Sequence, residues 1–296
     1  MSNKSKPSAV FFRGDNRDGL PVVVTVTVGG NAGTGPCVGI SIFDAFIFDH
    51  IRETCSDTME ARHKYLEYNK TPDGLKAACG GCIFGKPKRA KKHGLGGCYA
   101  QLNFTTVMEA AGIIMNAKDN VSGFRCDGLS GLRLDILADM LAGARGVGMR
   151  DFRSAIVGDT GILSEEVGTA IMDLVKSMGF STLGYTHQWF RSDHLRDTHQ
   201  ASTQGPWGAA DAAARRGWAV YHVKSGKDVT IDERFELCPA QVGQILGVKG
   251  GCGPCPRQCN GRDRNMTYAI DHGNGANMKA SPAAAVALER LSIAAT

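Results

Sequence analysis

The spacing of the cysteines limits what this chain can fold into more than any other feature of its sequence. Of the 10 cysteines in 296 residues, four lie late in the chain at Cys238, Cys252, Cys255 and Cys259. Three of these form a C-x2-C-x3-C run among glycine and proline, which keep a loop out of regular helix or strand. Four thiolates complete a tetrahedral zinc site or an iron–sulfur cluster. The uneven spacing of one distant and three close cysteines favours the iron–sulfur cluster.

An earlier cluster contains only three closely spaced cysteines, Cys79, Cys82 and Cys98. Three protein ligands are what a catalytic metal needs if one coordination position is to stay open. A fourth ligand from Cys126 or Cys55 would instead close the site and make it structural. A basic insert at residues 86–93 separates Cys82 from Cys98, and it predicts either a solvated loop or a surface that binds an anionic substrate or nucleic-acid phosphates.

The compartment expected from the sequence is the cytoplasm, which would be the host cytoplasm for a phage-encoded chain. The first residues contain no apolar signal segment, and no uninterrupted apolar run reaches the roughly 20 residues that a bilayer requires. Thiols stay reduced in the cytosol, so clustered cysteines there more often hold metal than form disulfides. The isolated Cys37, Cys55 and Cys126 are expected to act as small buried hydrophobic residues.

The pattern of apolar residues predicts an α/β fold, either a (β/α) barrel-like arrangement or an open parallel sheet, with a cysteine-rich metal-binding extension. We expect a flexible arm at residues 1–20, an α/β core at 21–235, and a metal-binding region with a C-terminal helix at 236–296. Alternating strands and helices are typical of parallel sheets. The predicted strands are 22–28, 153–157, 180–185, 218–223 and 267–270, and the predicted helices are 105–117, 132–144, 164–178 and 209–216, with Ser164 as a helix N-cap.

Polar residues follow several of the predicted strands directly. Asp159 comes after the strand at 153–157, His187 after the strand at 180–185, and His272 after the strand at 267–270. Because the carboxyl ends of parallel strands form the ligand-binding edge of α/β folds, these residues are predicted to converge on one pocket. The ordinary alternatives are a helix cap for Asp159 and a surface position for His187. His187 is the best candidate for proton transfer, since the unperturbed pKa of histidine lies near neutrality.

A set of short motifs covers roughly residues 79–273. They are Cys79-Gly-Gly-Cys82 with Gly97-Cys98-Tyr99-Ala100, Ile156-Val157-Gly158-Asp159, Gly184-Tyr185-Thr186-His187-Gln188-Trp189, Cys238-Pro-Ala with the later C-x2-C, and Asp271-His272-Gly273. Together they resemble uncharacterised cysteine-rich proteins of bacteriophages and plasmids, which in turn look like distant relatives of radical S-adenosylmethionine enzymes. That resemblance implies an α/β barrel, a three-cysteine [4Fe–4S] cluster, further C-terminal clusters and S-adenosylmethionine as a cofactor. The C-x2-C-x15-C spacing here departs from the usual C-x3-C-x2-C, so cofactor cleavage does not follow from the spacing.

The first functional hypothesis is an iron–sulfur enzyme of radical type that acts on a nucleotide, another small molecule or a nucleic acid. Its metal ligands would be Cys79, Cys82 and Cys98 in one cluster, and Cys238, Cys252, Cys255 and Cys259 in the other. Its catalytic residues would be His187, Asp159 and Tyr185. Its cofactor-binding residues would be Gly158, Asp159, Thr160, Thr186 and His272.

Two other hypotheses stay open from the sequence. A zinc-stabilised nucleic-acid-binding protein would explain the basic insert, although a net charge of +5 over the whole chain gives only a weak field. A virus-encoded structural or accessory protein would use its metal sites only to hold loops together. Neither hypothesis involves a membrane, and the sequence does not fix an oligomeric state.

Overall fold

The computed structural model describes residues 6–31, 35–71, 73–74, 76–80, 104–121, 128–204, 207–224, 232–238 and 266–270. The strands are β1 (Ser8–Asp15), β2 (Pro21–Asn31), β3 (Gly35–Asp44), β4 (Asp151–Val157), β5 (Ser181–Leu183), β6 (Tyr185–Thr186), β7 (Gln200–Gln204), β8 (Val220–Lys224), β9 (Glu236–Leu237) and β10 (Met266–Ile270). The helices are α1 (Ala45–Thr54), α2 (Thr58–Asn69), α3 (Lys76–Cys79), α4 (Phe104–Asn116), α5 (Leu134–Gly146), α6 (Glu165–Ser177) and α7 (Trp207–Arg215).

The first sheet has the order β1-β2-β3-β4-β5. Its first three strands pair antiparallel, while β3, β4 and β5 run parallel to one another. The valine run of β2 is buried on both faces: Val22 and Val24 pack into one apolar layer, and Val23 packs into the other. Successive side chains of a strand point to opposite faces, so a sheet covered on both sides needs apolar residues at every position.

The flexible arm predicted for residues 1–20 is wrong for residues 8–15. Residues 8–15 form β1, which pairs with β2, and Val10, Phe11 and Phe12 are fully buried. Val10 packs into one apolar layer, whereas Phe11 and Phe12 pack into the other. Burial of two phenylalanines against β2 outweighs the polar composition of this segment, because each buried ring contributes roughly 1.5–3 kcal/mol.

The second sheet has the order β6-β7-β8-β10-β9, and all of its pairings are parallel. Only Gly184 separates β5 from β6, so one extended segment pairs with β4 in the first sheet and with β7 in the second. A Cβ atom at position 184 would lie 2.6 Å from Cδ2 of His199, which is closer than carbon atoms approach. Glycine is therefore required where the two sheets meet.

Helices cover the first sheet on both faces. Residues of α1, α2 and α4 form one apolar layer with Val23 of β2 and Phe43 of β3. Residues of α5 and α6 form the other layer, which also includes Ala210 of α7. No helix within the described ranges is both long enough and apolar enough to cross a membrane.

The predicted α/β class is confirmed, and so are most of the helices and strands predicted from the pattern of apolar residues. Helices α4 to α7 match the four predicted helices, and β2, β4, β8 and β10 match predicted strands. The predicted cap is also present, since the Ser164 hydroxyl accepts a hydrogen bond from the Val167 amide at 3.3 Å. The strands β1, β3 and β7 were not predicted, and neither was the antiparallel pairing of β2 with β1 and β3. The C-terminal helix predicted after residue 281 lies outside the described residues.

A buried histidine makes the folding free energy of this protein depend on pH. His199 is fully buried, its Nδ1 lies 2.8 Å from the Thr198 hydroxyl, and its Nε2 has no hydrogen-bond partner among the described residues. Burial lowers the pKa of His199 to about 3. Between about pH 6.5 and pH 3 the unfolded chain therefore binds a proton that the folded chain does not. In this window the group makes stability fall with decreasing pH, by about 1.4 kcal/mol per pH unit.

We expect urea unfolding of the His199→Gln variant to show a shallower loss of stability between pH 6.5 and pH 4 than the unmodified chain. Glutamine does not titrate, so this contribution to the slope disappears. His63→Gln, at an exposed position on α2, is the control and should leave the slope unchanged. Identical slopes for all three proteins would mean that His199 does not control the acid sensitivity.

Candidate active site at the carboxyl ends of the parallel strands

A buried carboxylate joins the ends of two parallel strands. β4 ends at Val157, and the chain turns through Gly158 into Asp159, whose exposed fraction is only 4%. One carboxylate oxygen of Asp159 accepts a hydrogen bond from the Gly161 amide at 2.9 Å, and the other accepts one from the His187 amide at 2.8 Å. The cap interpretation of Asp159 is correct. The same side chain also ties the end of β4 to the residue that follows β6.

The imidazole of His187 lies between this carboxylate and a serine hydroxyl. Its Nδ1 is 3.9 Å from Oδ2 of Asp159, and its Nε2 is 3.1 Å from Oγ of Ser202 on β7. About one third of the His187 side chain (33%) is accessible to solvent. Desolvation lowers the pKa of His187, and the nearby Asp159 carboxylate acts against that shift by raising it. A histidine with a carboxylate on one nitrogen and a hydroxyl on the other is arranged for proton transfer.

Register places two tyrosines on the same face of the second sheet. Tyr185 of β6 pairs with Gln200 of β7, which lies two residues before Ser202, and Tyr221 of β8 pairs directly with Ser202. In-register neighbours in a parallel sheet point to the same side, as do residues two apart along a strand. The rings of Tyr185 and Tyr221 lie 4.7 Å apart between centroids, and both residues are partly exposed. Tyr185, Ser202 and Tyr221 therefore share one face, and His187, in the turn after β6, contacts this face through the Ser202 hydroxyl.

The first cysteine of the earlier cluster lies against the same strand ends. Cys79 is the last residue of α3, and the preceding Ala78 carbonyl accepts a hydrogen bond from the Asp159 amide at 2.9 Å. The Cys79 carbonyl accepts another from Nε2 of Gln188 at 3.0 Å. Gln188 is buried, and its Oε1 accepts a hydrogen bond from Nε of Arg191 at 2.8 Å. The cysteine motif and the loops that carry Asp159 and His187 thus form one contiguous site.

Comparison with known proteins adds no family to this picture. No protein-family model, curated protein or solved structure matches the chain. The resemblance to phage and plasmid proteins stays a prediction, and the function has to follow from the residues of the site.

Three of the residues predicted to bind a cofactor have internal contacts in the structure. The Thr160 hydroxyl donates to the Ser154 carbonyl at 2.7 Å, and the Thr186 hydroxyl accepts from the Gln188 amide at 2.9 Å. Both threonines are fully buried. Gly158 has a φ of +87° and packs closely against Ile42. These contacts shape the turns, and a cofactor-binding role for Gly158, Thr160 and Thr186 stays a prediction.

The other predicted metal ligands are divided between described and undescribed parts of the chain. Cys238 follows β9 directly, is partly buried, and donates its amide to the Tyr268 carbonyl at 2.8 Å. Among the residues that the structure describes, no group of three or more His, Cys, Asp or Glu side chains is arranged to hold a metal ion. Cys82, Cys98, Cys252, Cys255, Cys259 and His272 lie outside the described residues, as do the isolated Cys126 and the basic insert.

Of the isolated cysteines, Cys37 is buried as predicted, and Cys55 is partly buried against the apolar layer of α1, α2 and α4. The prediction missed Ser202, Gln188 and Tyr221 as residues of the site. Ser202 and Tyr221 could be found only from the register of β6, β7 and β8. The segment of β7, Gln-Ala-Ser-Thr-Gln, contains one apolar residue, so it lacks the composition by which strands are recognised.

Proposed function

We propose that this chain is an enzyme in which a cysteine-bound metal group of iron–sulfur type lies beside a proton-transferring histidine, and that it acts on a nucleotide or a nucleic acid. One observation supports this proposal above the others. The backbone at Ala78 and Cys79 is hydrogen-bonded to Asp159 and Gln188, the residues that surround His187. A metal group bound at Cys79 would therefore lie next to an acid–base residue.

The ligands of the proposed group are Cys79, Cys82 and Cys98. Thiolates are soft ligands that suit iron–sulfur clusters and zinc, and three of them leave one position open for a substrate or cofactor. When bound, an iron–sulfur group of this kind supplies one-electron chemistry. The chain itself supplies the proton transfer, because the buried Asp159 carboxylate holds the backbone of His187 and lies near its Nδ1.

A second metal group at Cys238, Cys252, Cys255 and Cys259 is part of the proposal. Cys238 supports it because this residue directly follows β9. It therefore lies at the carboxyl end of a parallel strand, as Asp159 does after β4 and His187 does after β6. Thiolate ligands at these carboxyl ends would put the second metal group at the same end of the second sheet as the first metal group. The barrel-like arrangement and the S-adenosylmethionine cofactor implied by the resemblance belong to the same proposal.

The test is a metal analysis and a visible spectrum of the full chain purified without oxygen. We expect bound iron and sulfide with the broad visible absorbance of an iron–sulfur cluster. The Cys79→Ser variant should lose one cluster's share of the iron, since a hydroxyl is a poor ligand for this group. Cys55→Ser, which replaces an isolated and partly buried cysteine, is the matched control and should keep all of the iron.

Two results would contradict the proposal. A colourless protein that contains zinc would favour the zinc-stabilised nucleic-acid-binding alternative, whose affinity for nucleic acid should fall steeply with salt. Equal iron contents in the Cys79→Ser and Cys55→Ser variants would remove Cys79 from the metal site.

A further inference from the structure

Three polar groups follow one another in a fixed order: the first follows β4, the second follows β6, and the third lies within β7. The Asp159 carboxylate is 3.9 Å from Nδ1 of His187, and Nε2 of His187 is 3.1 Å from the hydroxyl oxygen of Ser202. Carboxylate, imidazole and hydroxyl in this order form the arrangement that activates a serine as a nucleophile. The carboxylate–imidazole distance is longer than a hydrogen bond, as is often found before a substrate is bound.

Backbone hydrogen bonds and strand pairing hold the three groups in place. Two backbone amides fix the Asp159 carboxylate, and one of them belongs to His187 itself. Ser202 lies in the middle of β7, which pairs with β6 on one side and with β8 on the other. Groups held in this way keep their geometry without a large entropic cost, and this pre-organisation is what nucleophilic catalysis requires.

The His187 imidazole is more exposed to solvent than either Asp159 or Ser202. The exposed fraction is 4% for Asp159 and 7% for Ser202, while one third of the His187 side chain is open to solvent. A buried carboxylate orients the imidazole, and the partly exposed imidazole lies 3.1 Å from the hydroxyl oxygen of Ser202. Desolvation of His187 lowers its pKa, so the ring is neutral and can accept a proton at neutral pH.

We propose that Ser202 is the nucleophile of an acyl-transfer activity towards small esters, with His187 as the general base and Asp159 as the carboxylate that positions it. The Ser202 oxygen forms a bond to the ester carbonyl carbon while its proton passes to Nε2 of His187. The bond from that carbon to the leaving alcohol then breaks, and the alcohol departs with the same proton. Water next forms a bond to the acyl carbon and gives a proton to Nε2 of His187. The bond from that carbon to the Ser202 oxygen then breaks, the serine oxygen takes the proton back from His187, and the acid is released.

This activity needs no metal and so goes beyond the function proposed above. It uses none of the cysteines and no redox partner, because the overall reaction is ester plus water to acid plus alcohol. It also gives His187 a specific proton donor and acceptor in Ser202.

The test uses p-nitrophenyl acetate with the full chain, followed by mass spectrometry of the quenched protein. We expect release of p-nitrophenolate and an acetyl group on Ser202. Ser202→Ala and His187→Gln should each slow turnover by on the order of 10²-fold or more. Ser181→Ala, at the amino end of the neighbouring β5, should react at the unmodified rate. Hydrolysis and the acetyl group on Ser202 should persist in a preparation of the unmodified chain that contains no iron, which separates this proposal from the metal proposal.

A fluorophosphonate probe gives a second measurement that does not depend on a variant folding. The probe should label Ser202 of the unmodified chain, as located by peptide mass spectrometry. Labelling or acetylation only at other residues, or full turnover by Ser202→Ala, would overturn the proposal.

Discussion

Replacing Gly158 with alanine should lower the free energy of unfolding by about 3 kcal/mol or more, as measured by urea denaturation. Gly158 has a φ of +87°, a left-handed conformation that costs other residues energy. An added Cβ atom would also lie 2.8 Å from Cβ of Ile42 and 2.9 Å from the Ile42 backbone oxygen. Neither atom can move without shifting β3, so the strain would be transmitted to the turn that carries Asp159.

Gly148 provides a matched control for this change. Its φ is also +87°, but an added Cβ would meet no atom within 4 Å. Gly148→Ala should therefore show only the backbone cost, roughly 1–2 kcal/mol. An equal loss of stability in both variants would mean that the contact with Ile42 relaxes freely and that the turn is not tightly packed.

Asparagine at position 159 is expected to weaken both the fold and the site. An amide side chain offers one acceptor oxygen where the carboxylate offers two, so either the Gly161 amide or the His187 amide loses its partner. A buried polar group left without a partner costs about 1–3 kcal/mol. The pKa of His187 should fall further, because the carboxylate that raises it is gone. Turnover of p-nitrophenyl acetate should fall by on the order of 10²-fold or more, because the imidazole loses the carboxylate that orients it.

The measurements are a pH titration of the imidazole signals by NMR, urea unfolding, and ester turnover. Asp151→Asn is the matched control, since Asp151 lies at the amino end of the same strand β4, away from His187. It should change neither the His187 titration nor the turnover. An unchanged His187 pKa in the Asp159→Asn variant would show that the carboxylate does not interact with the imidazole.

Local signals predicted most of the regular structure correctly. Helix α6 illustrates why, since Ser164 caps its first turn, apolar residues recur at helical spacing, and Gly179 with a φ of +75° follows its end. Each of these signals is contained within a short stretch of sequence and needs no knowledge of distant residues.

The elements that were missed depend on partners far away in the sequence. β1 is a strand because it pairs with β2 and because its side chains pack on both faces, with Val10 in one apolar layer and Phe12 in the other. β7 is polar and owes its extended conformation to pairing on both sides with β6 and β8. Strand propensity reflects how well a residue packs in such surroundings. It therefore does not identify a strand whose extended conformation depends on its pairing partners alone.

The residues of the candidate site also divide into those that the local sequence predicts and those whose position depends on distant strand pairing. The rule that ligands bind at the carboxyl ends of parallel strands predicted that Asp159 and His187 would meet, and they do. Ser202 could not be predicted, because its place opposite His187 follows from a register that no local pattern encodes. The metal ligands other than Cys79 and Cys238 lie outside the described residues, so the metal site stays a prediction.

The segment that contributes both β5 and β6 makes the two sheets a single cooperative unit. A chain interrupted at Gly184 would lose the last strand of one sheet and the first strand of the other in one event. Release of this segment therefore breaks hydrogen bonds in both sheets at once. Since Asp159 follows the first sheet and Ser202 belongs to the second, the distance between them is set by this shared segment, and partial unfolding of either half would disassemble the site.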